Sequence, residues 1–297
     1  MNIAASAFFI PTNMPYKCAN CAKSYAQPTA DYFCVDCGYD GLLIDDSVGK
    51  VLNDREIGLC ILLMDASGSM NNPAFPGSPL SKMRLVANSA AQGIFDLQQM
   101  GKADDAYICA MLFDHNIKQI FFKSVKELLE EHKYDAKAFA DYLYKELSDM
   151  GGMTDINGAL KAADSFAKSF TGRTIPNMQN YVPMEHVLLT KSGESKVVPN
   201  VRTLIYTDGN QYLGDGHSAT LTSPFKLWET DILMGAFFGS STDTGCAELR
   251  SILGKCPNHD FEQFFLLDQP SKVAHLRKLF RMASGASGFC PLCIPKE

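Results

Sequence analysis

Five apolar runs of eight or nine residues alternate with helical patterns, and this feature most constrains how the chain can fold. The runs are IGLCILLMD (57–65), AYICAMLFD (106–114), VRTLIYTDG (201–209), DILMGAFFG (231–239) and FEQFFLLD (261–268). Their hydrophobicity is continuous rather than alternating, which is typical of strands that are covered on both faces of a parallel sheet. A chain of 297 residues, 46% of them hydrophobic, is long enough to bury such a sheet.

Helical periodicity occupies the stretches between these runs, at 81–100, 136–147, 155–170, 246–253 and 273–283. The alternation predicts an α/β domain with a doubly wound, mostly parallel sheet and helices on both faces. NIKQIFF (116–122) follows a tight turn at Asp114 and His115, so we expect an antiparallel edge strand there. Residues 171–200 contain three prolines and a hairpin-like LLTKSGESKVV, and we interpret them as an irregular surface insertion.

Short oxygen-bearing side chains follow two of the predicted strands. The segment LLMDASGSMNN (62–72) places Asp65, Ser67 and Ser69 at the carboxyl end of the first strand. Thr154 lies at the start of a predicted helix in GGMTDINGAL, and Asp208 ends another strand in IYTDGN. Ligands of open α/β sheets bind beyond the carboxyl ends of the strands. Hydroxyl and carboxylate oxygens suit a small hard cation, so these five residues predict a site for Mg²⁺ or Mn²⁺.

At these residues the chain resembles the von Willebrand factor A (vWA) family. The D-x-S-x-S triplet, the threonine after glycines and the strand-terminal T-D-G occur in the order that forms the family's metal-ion-dependent adhesion site (MIDAS), and the resemblance covers roughly 54–285. It implies that Ser67, Ser69 and Thr154 are direct or near-direct ligands, while Asp65 and Asp208 act mainly through water. Neutral hydroxyls leave the ion under-neutralised, so an Asp or Glu of a partner protein is expected to complete its shell.

Other interpretations of the first motif find less support. Ser67 and Ser69 would be helix caps only if the next helix followed directly, yet about ten residues, MNNPAFPGSP, intervene. A nucleophilic serine would need G-x-S-x-G. An aspartyl-phosphate enzyme would need a second carboxylate where Ser67 stands. The sequence also lacks a G-x-x-x-x-G-K-[ST] phosphate loop, so we expect no enzymatic activity.

Six of the ten cysteines form C-x2-C pairs. Two pairs, Cys18 with Cys21 and Cys34 with Cys37, are separated by twelve residues, a spacing that predicts a four-cysteine Zn²⁺ site. Residues 15–47 would then form a zinc ribbon after an N-terminal extension at 1–14, because so short a segment needs metal binding to fold. Four unrelated cysteines, or a redox C-x-x-C, are the alternatives.

Charge argues against nucleic acid as the partner of this ribbon. Residues 15–47 contain two lysines, no arginine and five aspartates, and the whole chain carries a net charge of −6. Binding to phosphates requires the opposite balance. We therefore expect a structural or protein-docking ribbon.

The third pair, Cys290 and Cys293, lies in a tail at 286–297 that follows the final predicted helix. Cys256 and His259 have C-x2-H spacing just before the last strand, at the edge to which that helix returns the chain. The four residues predict a second Zn²⁺ site that fastens the tail to the vWA domain at 54–285. A redox pair or an unliganded tail remains the alternative.

Together these patterns favour a cytoplasmic adaptor that binds protein partners and neither membranes nor nucleic acid. The apolar run IAASAFFI is too short to span a bilayer, and paired cysteines suit a reducing compartment. We expect Tyr212, Asp215 and His217 to rim the metal site and select the partner. A regulatory subunit of a larger ATPase or kinase assembly is an alternative, as is nucleic-acid binding by the ribbon.

Overall fold

A computed structural model describes residues 16–18, 24–25, 42–44, 50–51, 55–99, 101, 103–176, 178, 181–189, 195–212, 214, 220–222, 232–253, 263–274, 276 and 279–280. The chain divides into two compact units. One comprises Met1–Glu56 with Arg173–Val182, and the other comprises Ile57–Gly172 with Pro183–Glu297.

Four short strands of the first unit pair antiparallel in the order β2-β1-β3-β4. They are β1 (Tyr16–Cys18), β2 (Ser24–Tyr25), β3 (Leu42–Ile44) and β4 (Lys50–Val51). Cys18 ends β1 opposite Leu42. Cys21, Cys34 and Cys37 lie outside the described residues, so the zinc ribbon at 15–47 stays a prediction.

The second unit is built on a sheet whose strands follow the order β13-β12-β11-β5-β6-β7. All neighbouring strands along this path are parallel except β6 and β7, which are antiparallel. The strands of the chain after β4 are β5 (Arg55–Asp65), β6 (Ala106–Phe113), β7 (Ile117–Ser124), β8 (Tyr181–Pro183), β9 (Glu185–Leu189), β10 (Ser195–Pro199), β11 (Val201–Thr207), β12 (Ile232–Phe238) and β13 (Phe264–Leu267). The predicted α/β class, the five predicted strands and the antiparallel edge strand are confirmed. Burial on both faces is not confirmed for β13, because it lies at the edge of the sheet and Phe265 and Leu266 are only partly buried.

Helices cover both faces of this sheet. Phe121 and Phe122 are consecutive on β7 and therefore point to opposite faces. Phe121 contacts Phe139 on one face, and Phe122 contacts Phe166 on the other. The helices are α1 (Lys82–Gln99), α2 (Val125–Glu131), α3 (Ala136–Ser148), α4 (Ile156–Thr171) and α5 (Thr244–Ile252). Val273, Ala274, Leu276, Leu279 and Phe280 are also helical, within the helix predicted at 273–283.

The core lies between the central strands and these helices. On β5, Cys60, Leu62 and Met64 face a cluster that includes the buried side of α1, and every one is at most 2% exposed. Gly235 of β12 lets α5 approach closely, because a Cβ at that position would lie 2.7 Å from Leu253. Within the described residues, no helix is both long and apolar enough to span a bilayer.

Two local expectations need correction. The segment 171–200 is not irregular throughout, because β9 and β10 pair antiparallel from Ser195–Leu189 to Pro199–Glu185. The hairpin suggested by LLTKSGESKVV is thus confirmed. Helix α2 was not predicted, although Ser124 and Glu127 form a capping box at its start.

Candidate functional site

Asp65 ends the central strand β5 in a fully buried position. Its Oδ2 accepts a hydrogen bond of 2.5 Å from Thr207 Oγ1, and its Oδ1 accepts one of 2.8 Å from Ser67 N. Burial raises the pKa of Asp65 from 3.8 to about 6, although the hydrogen bonds from Thr207 and Ser67 oppose this rise. A buried carboxylate of this kind is strongly stabilised by a nearby cation.

Ser67 and Ser69 connect this strand end to Asp208. A 3-10 helix at Gly68–Asn71 turns the chain directly after β5. The Ser67 and Ser69 hydroxyl oxygens are 3.2 Å apart, and Ser69 Oγ donates to Asp208 Oδ1 at 2.7 Å. The Asp208 side chain is only 1% exposed. The structure therefore joins three of the predicted ligands in one continuous contact chain.

Thr154 reaches the same edge of the sheet through backbone contacts. Its N–H donates to Tyr212 O at 2.9 Å, and Tyr212 N donates back to Thr154 O at 2.8 Å. A Cβ at Gly209, the residue after Asp208, would lie 3.3 Å from Thr154 Oγ1. Gly68 N also donates to Gly152 O at 3.3 Å, which ties the Thr154 loop to the serine turn. All five predicted magnesium-site residues thus lie at the carboxyl ends of β5 and β11.

A set of polar contacts next to Thr154 holds this loop in place. Asp155 is the N-cap of α4, and its Oδ1 accepts from Gly158 N at 3.0 Å and from Gln211 Nε2 at 2.8 Å. Gln211 Oε1 in turn accepts from Asn157 N at 2.9 Å. Asp155 N donates to Asp114 O at 2.7 Å. The Thr154 loop is therefore fixed to helix α4, to the segment after β11 and to the end of β6.

Lys82, the first residue of α1, also contacts this site. Its Nζ lies 2.5 Å from Asp208 Oδ2, and its side chain is 16% exposed. An antiparallel bridge between Pro73 and Ser81 returns the chain to this place after the serine turn, and Lys82 N donates to Asn72 O. The segment NNPAFPG (71–77) forms part of this return.

Sequence reasoning missed Lys82, Thr207, Asp155 and Gln211. Thr207 belongs to the T-D-G motif, but its contact with Asp65 follows from the register in which Tyr206 pairs with Met64. Asp155 could have been found as a capping residue before an apolar periodic segment. Lys82 could have been noticed as a cation at a helix N-terminus, where the helix dipole disfavours positive charge.

The side chains at this edge fit a hard divalent cation better than a soft one. The predicted ligands offer hydroxyl and carboxylate oxygens, with neither thiolate nor imidazole among them. Within the part of the chain that the structure describes, no group of three or more His, Cys, Asp or Glu side chains is placed to hold a metal ion. A metal ion at this edge would therefore need the serine and threonine hydroxyls as ligands.

Several predicted residues fall outside the described part of the chain. Of the predicted rim residues, Tyr212 is 49% exposed. Asp215 and His217, and the four residues of the second zinc site, Cys256, His259, Cys290 and Cys293, lie outside the described residues, so these predictions stay predictions. Cys60, Cys109 and Cys246 are free and buried.

No protein-family model and no curated protein sequence matches the chain. The chain is similar in fold to von Willebrand factor type A from Catenulispora acidiphila, with 13% identity over 82% of this chain and 45% of that chain and a TM-score of 0.43. Proximal thread matrix protein 1 from the mussel byssus, solved with a zinc-occupied MIDAS motif, gives 15% identity, coverages of 77% and 48%, and a TM-score of 0.39. The ArnB paralog VWA2 from Sulfolobus acidocaldarius has 15% identity over 76% of this chain and 46% of that chain, with a TM-score of 0.40. This chain spans less than half the length of these three proteins.

Proposed function

We propose that the chain is a non-enzymatic interaction protein whose α/β unit is a vWA-type domain with a MIDAS. Asp65, Ser67, Ser69, Thr154 and Asp208 would hold Mg²⁺, or Mn²⁺ by the same chemistry. The ion would bind an Asp or Glu of a partner protein. The observation that carries this proposal is the contact chain from Ser67 Oγ through Ser69 Oγ to Asp208 Oδ1 at the carboxyl ends of β5 and β11.

The charge of the site supports an acidic ligand. Asp65 and Asp208 supply two carboxylates, and the Lys82 ammonium already neutralises part of the charge of Asp208. The remaining ligands are neutral hydroxyls, so a divalent ion at this edge would keep a net attraction for an anion. A partner carboxylate would complete the shell with a favourable charge interaction.

Two exposed apolar side chains next to Thr154 support a protein as the source of that carboxylate. Met153 is 38% exposed and Tyr212 is 49% exposed, and they flank Thr154 along the chain and across its bridge. Exposed aromatic and methionine side chains are enriched where proteins bind proteins. The proposed partner segment therefore carries an acidic residue with an apolar neighbour.

The zinc sites complete the proposed adaptor. Cys18, Cys21, Cys34 and Cys37 would close a structural Zn²⁺ ribbon, and Cys256, His259, Cys290 and Cys293 would fasten the tail with a second Zn²⁺. The net charge of −6 supports protein partners over nucleic acid or anionic membranes. Reduced, metal-binding cysteines would place the protein in the cytoplasm.

Capture on immobilised peptides with a central Asp, Glu or Asn tests the function directly. We expect the Asp and Glu peptides, but not the Asn peptide, to retain the protein in Mg²⁺. EDTA or the substitution Ser69→Ala should abolish retention, whereas Ser148→Ala on the exposed end of α3 should leave it unchanged. Equal retention in EDTA, or by the Asn peptide, would contradict the proposal.

A further inference from the structure

We propose that Lys82 is a tethered cation that competes with the divalent ion for Asp208 and thereby sets the metal affinity of the site. This inference rests on the proposed magnesium site and adds a residue to it that the sequence motif does not contain. When the metal concentration is low, Lys82 would neutralise the charge of Asp208. An entering ion would then have to compete with this ammonium for Asp208.

The contacts of Asp208 place the ammonium beside the proposed metal site. One carboxylate oxygen accepts from the proposed ligand Ser69, and the other lies 2.5 Å from Lys82 Nζ. Because the Asp208 side chain is 1% exposed and that of Lys82 is 16% exposed, water screens this pair poorly. A divalent ion and the ammonium would therefore meet at one buried carboxylate.

Local structure does not explain why a lysine stands at residue 82. It is the first residue of α1, where the helix dipole repels positive charge. The first turn of α1, all of which the structure describes, contains no acidic residue. Ser81 Oγ accepts from Arg84 N at 3.2 Å and so provides the helix cap without help from Lys82. The partner that offsets this unfavourable position is Asp208, 126 residues away.

The loop before α1 fixes the approach of Lys82 to the site. The bridge between Pro73 and Ser81 and the hydrogen bond from Lys82 N to Asn72 O hold the start of the helix against the serine turn. Met70, Ala74 and Phe75 are at most 7% exposed, so the 3-10 helix and the middle of this loop are packed into the core. The backbone of Lys82 is therefore held in a fixed position close to Asp208.

The energetic consequence is a weaker metal site. Positive charges that share one poorly screened carboxylate repel each other, so the ammonium must leave Asp208 or remain beside the ion at a cost. Removing the ammonium should strengthen Mg²⁺ binding by roughly tenfold or more. The lysine would also raise selectivity for divalent over monovalent cations, because only a doubly charged ion displaces it effectively.

Calorimetric titration of the full chain with MgCl₂ tests this inference. Lys82→Met keeps the apolar stem without adding an oxygen that could itself bind the ion, and Lys82→Arg keeps the charge. Lys118→Met, which removes a 2.7 Å pair with Glu146 on the surface of β7, is the matched control. We expect Lys82→Met to bind Mg²⁺ about tenfold more tightly than the wild type, and the other two variants to stay within about twofold.

The outcomes separate this inference from the proposed function. If the wild type binds Mg²⁺ and Lys82→Met binds it equally or more weakly, the role of Lys82 is refuted and the metal site stands. If neither protein binds Mg²⁺ or Mn²⁺, both proposals fail.

A second measurement follows the Lys82 ammonium directly in the wild-type protein. In the wild type labelled with ¹⁵N-lysine, the Lys82 ammonium signal, identified by its loss in Lys82→Arg, should change with the same midpoint as the calorimetric Mg²⁺ titration. A Lys82 signal that does not respond to bound Mg²⁺ would overturn the competition.

Discussion

The middle and the carboxyl end of the β5–β11 strand pair are equally buried but are stabilised differently. In the middle, Leu62 pairs with Leu204 and Leu63 with Ile205, and all four are 0% exposed. At the end, Asp65 and Thr207 are also 0% exposed, but their buried polar atoms need hydrogen-bond partners. Thr207 Oγ1 donates to Asp65 Oδ2, although the two residues are 142 positions apart in the chain. The middle therefore serves stability, while the end carries buried polar groups that we propose serve binding.

The largest expected effect comes from the middle of the pair. Leu62→Ala should lower the free energy of unfolding by about 2–5 kcal/mol, because it removes buried methyl groups and leaves a cavity in a fully packed layer. Urea unfolding followed by circular dichroism measures this loss. The folded fraction should keep the wild-type Mg²⁺ affinity. A stability loss below about 1 kcal/mol would show that the layer repacks and that its packing contributes little to stability.

At the end of the same strand, a substitution should change the Mg²⁺ affinity rather than the free energy of unfolding. Asp65→Asn should weaken Mg²⁺ binding by about 10–100-fold, since it removes the charge that acts on the ion through water. The unfolding free energy of the metal-free protein should change little, because the loss of a buried charge offsets weakened hydrogen bonds. Calorimetry and urea unfolding test the two parts.

Asp141→Asn is the control for this substitution, because Asp141 lies on α3 with a side chain that is 48% exposed. It should leave the Mg²⁺ affinity unchanged. Wild-type affinity in Asp65→Asn would remove Asp65 from the site.

The next smaller effect concerns the polar contacts of Asp155 that hold the Thr154 loop in place. Asp155→Ala removes the N-cap of α4 and the contact with Gln211, and should lower the unfolding free energy by about 0.5–2 kcal/mol. Mg²⁺ binding should also weaken severalfold, because Thr154 loses its fixed position. Asp135→Ala removes the N-cap of α3, whose carboxylate accepts from Lys137 N and Ala138 N. It should cost similar stability without changing Mg²⁺ affinity, and equal metal effects in both variants would contradict a local role for Asp155.

The same contrast explains how much of the molecule the sequence could predict. The strands β5, β6, β11, β12 and β13 were predictable because continuous hydrophobicity is a local property of each segment. The five proposed ligands were predicted from their order along the chain, which matches two strand ends and a helix start. Helix α2 was missed because it is only seven residues long and rich in charge, although its S-x-x-E capping box was present in the sequence.

The contacts of the site that sequence reasoning missed depend on tertiary register. The partnership of Thr207 with Asp65 requires knowing that β5 and β11 are neighbours and which residues pair. Lys82 reaches Asp208 only because the Pro73–Ser81 bridge returns the chain to the serine turn. Residues 171–200 were predicted as irregular because their prolines suggested a loop, yet Pro199 ends strand β10, at the edge of a two-stranded sheet where proline is tolerated.

The smallest effect should appear at the exposed rim, where a side chain serves neither stability nor the metal. Tyr212 contributes its backbone to the Thr154 bridge, so Tyr212→Ala should keep both backbone hydrogen bonds and change the unfolding free energy by less than about 0.5 kcal/mol. Mg²⁺ affinity should also stay at the wild-type value. Retention on the Asp peptide with an apolar neighbour should nevertheless fall severalfold, because the partner loses aromatic contact area. Tyr134→Ala, at an equally exposed tyrosine between α2 and α3, should leave retention unchanged. If both variants retain the peptide equally well, the carboxylate–metal contact alone provides the affinity, and the apolar rim has no part in choosing the partner.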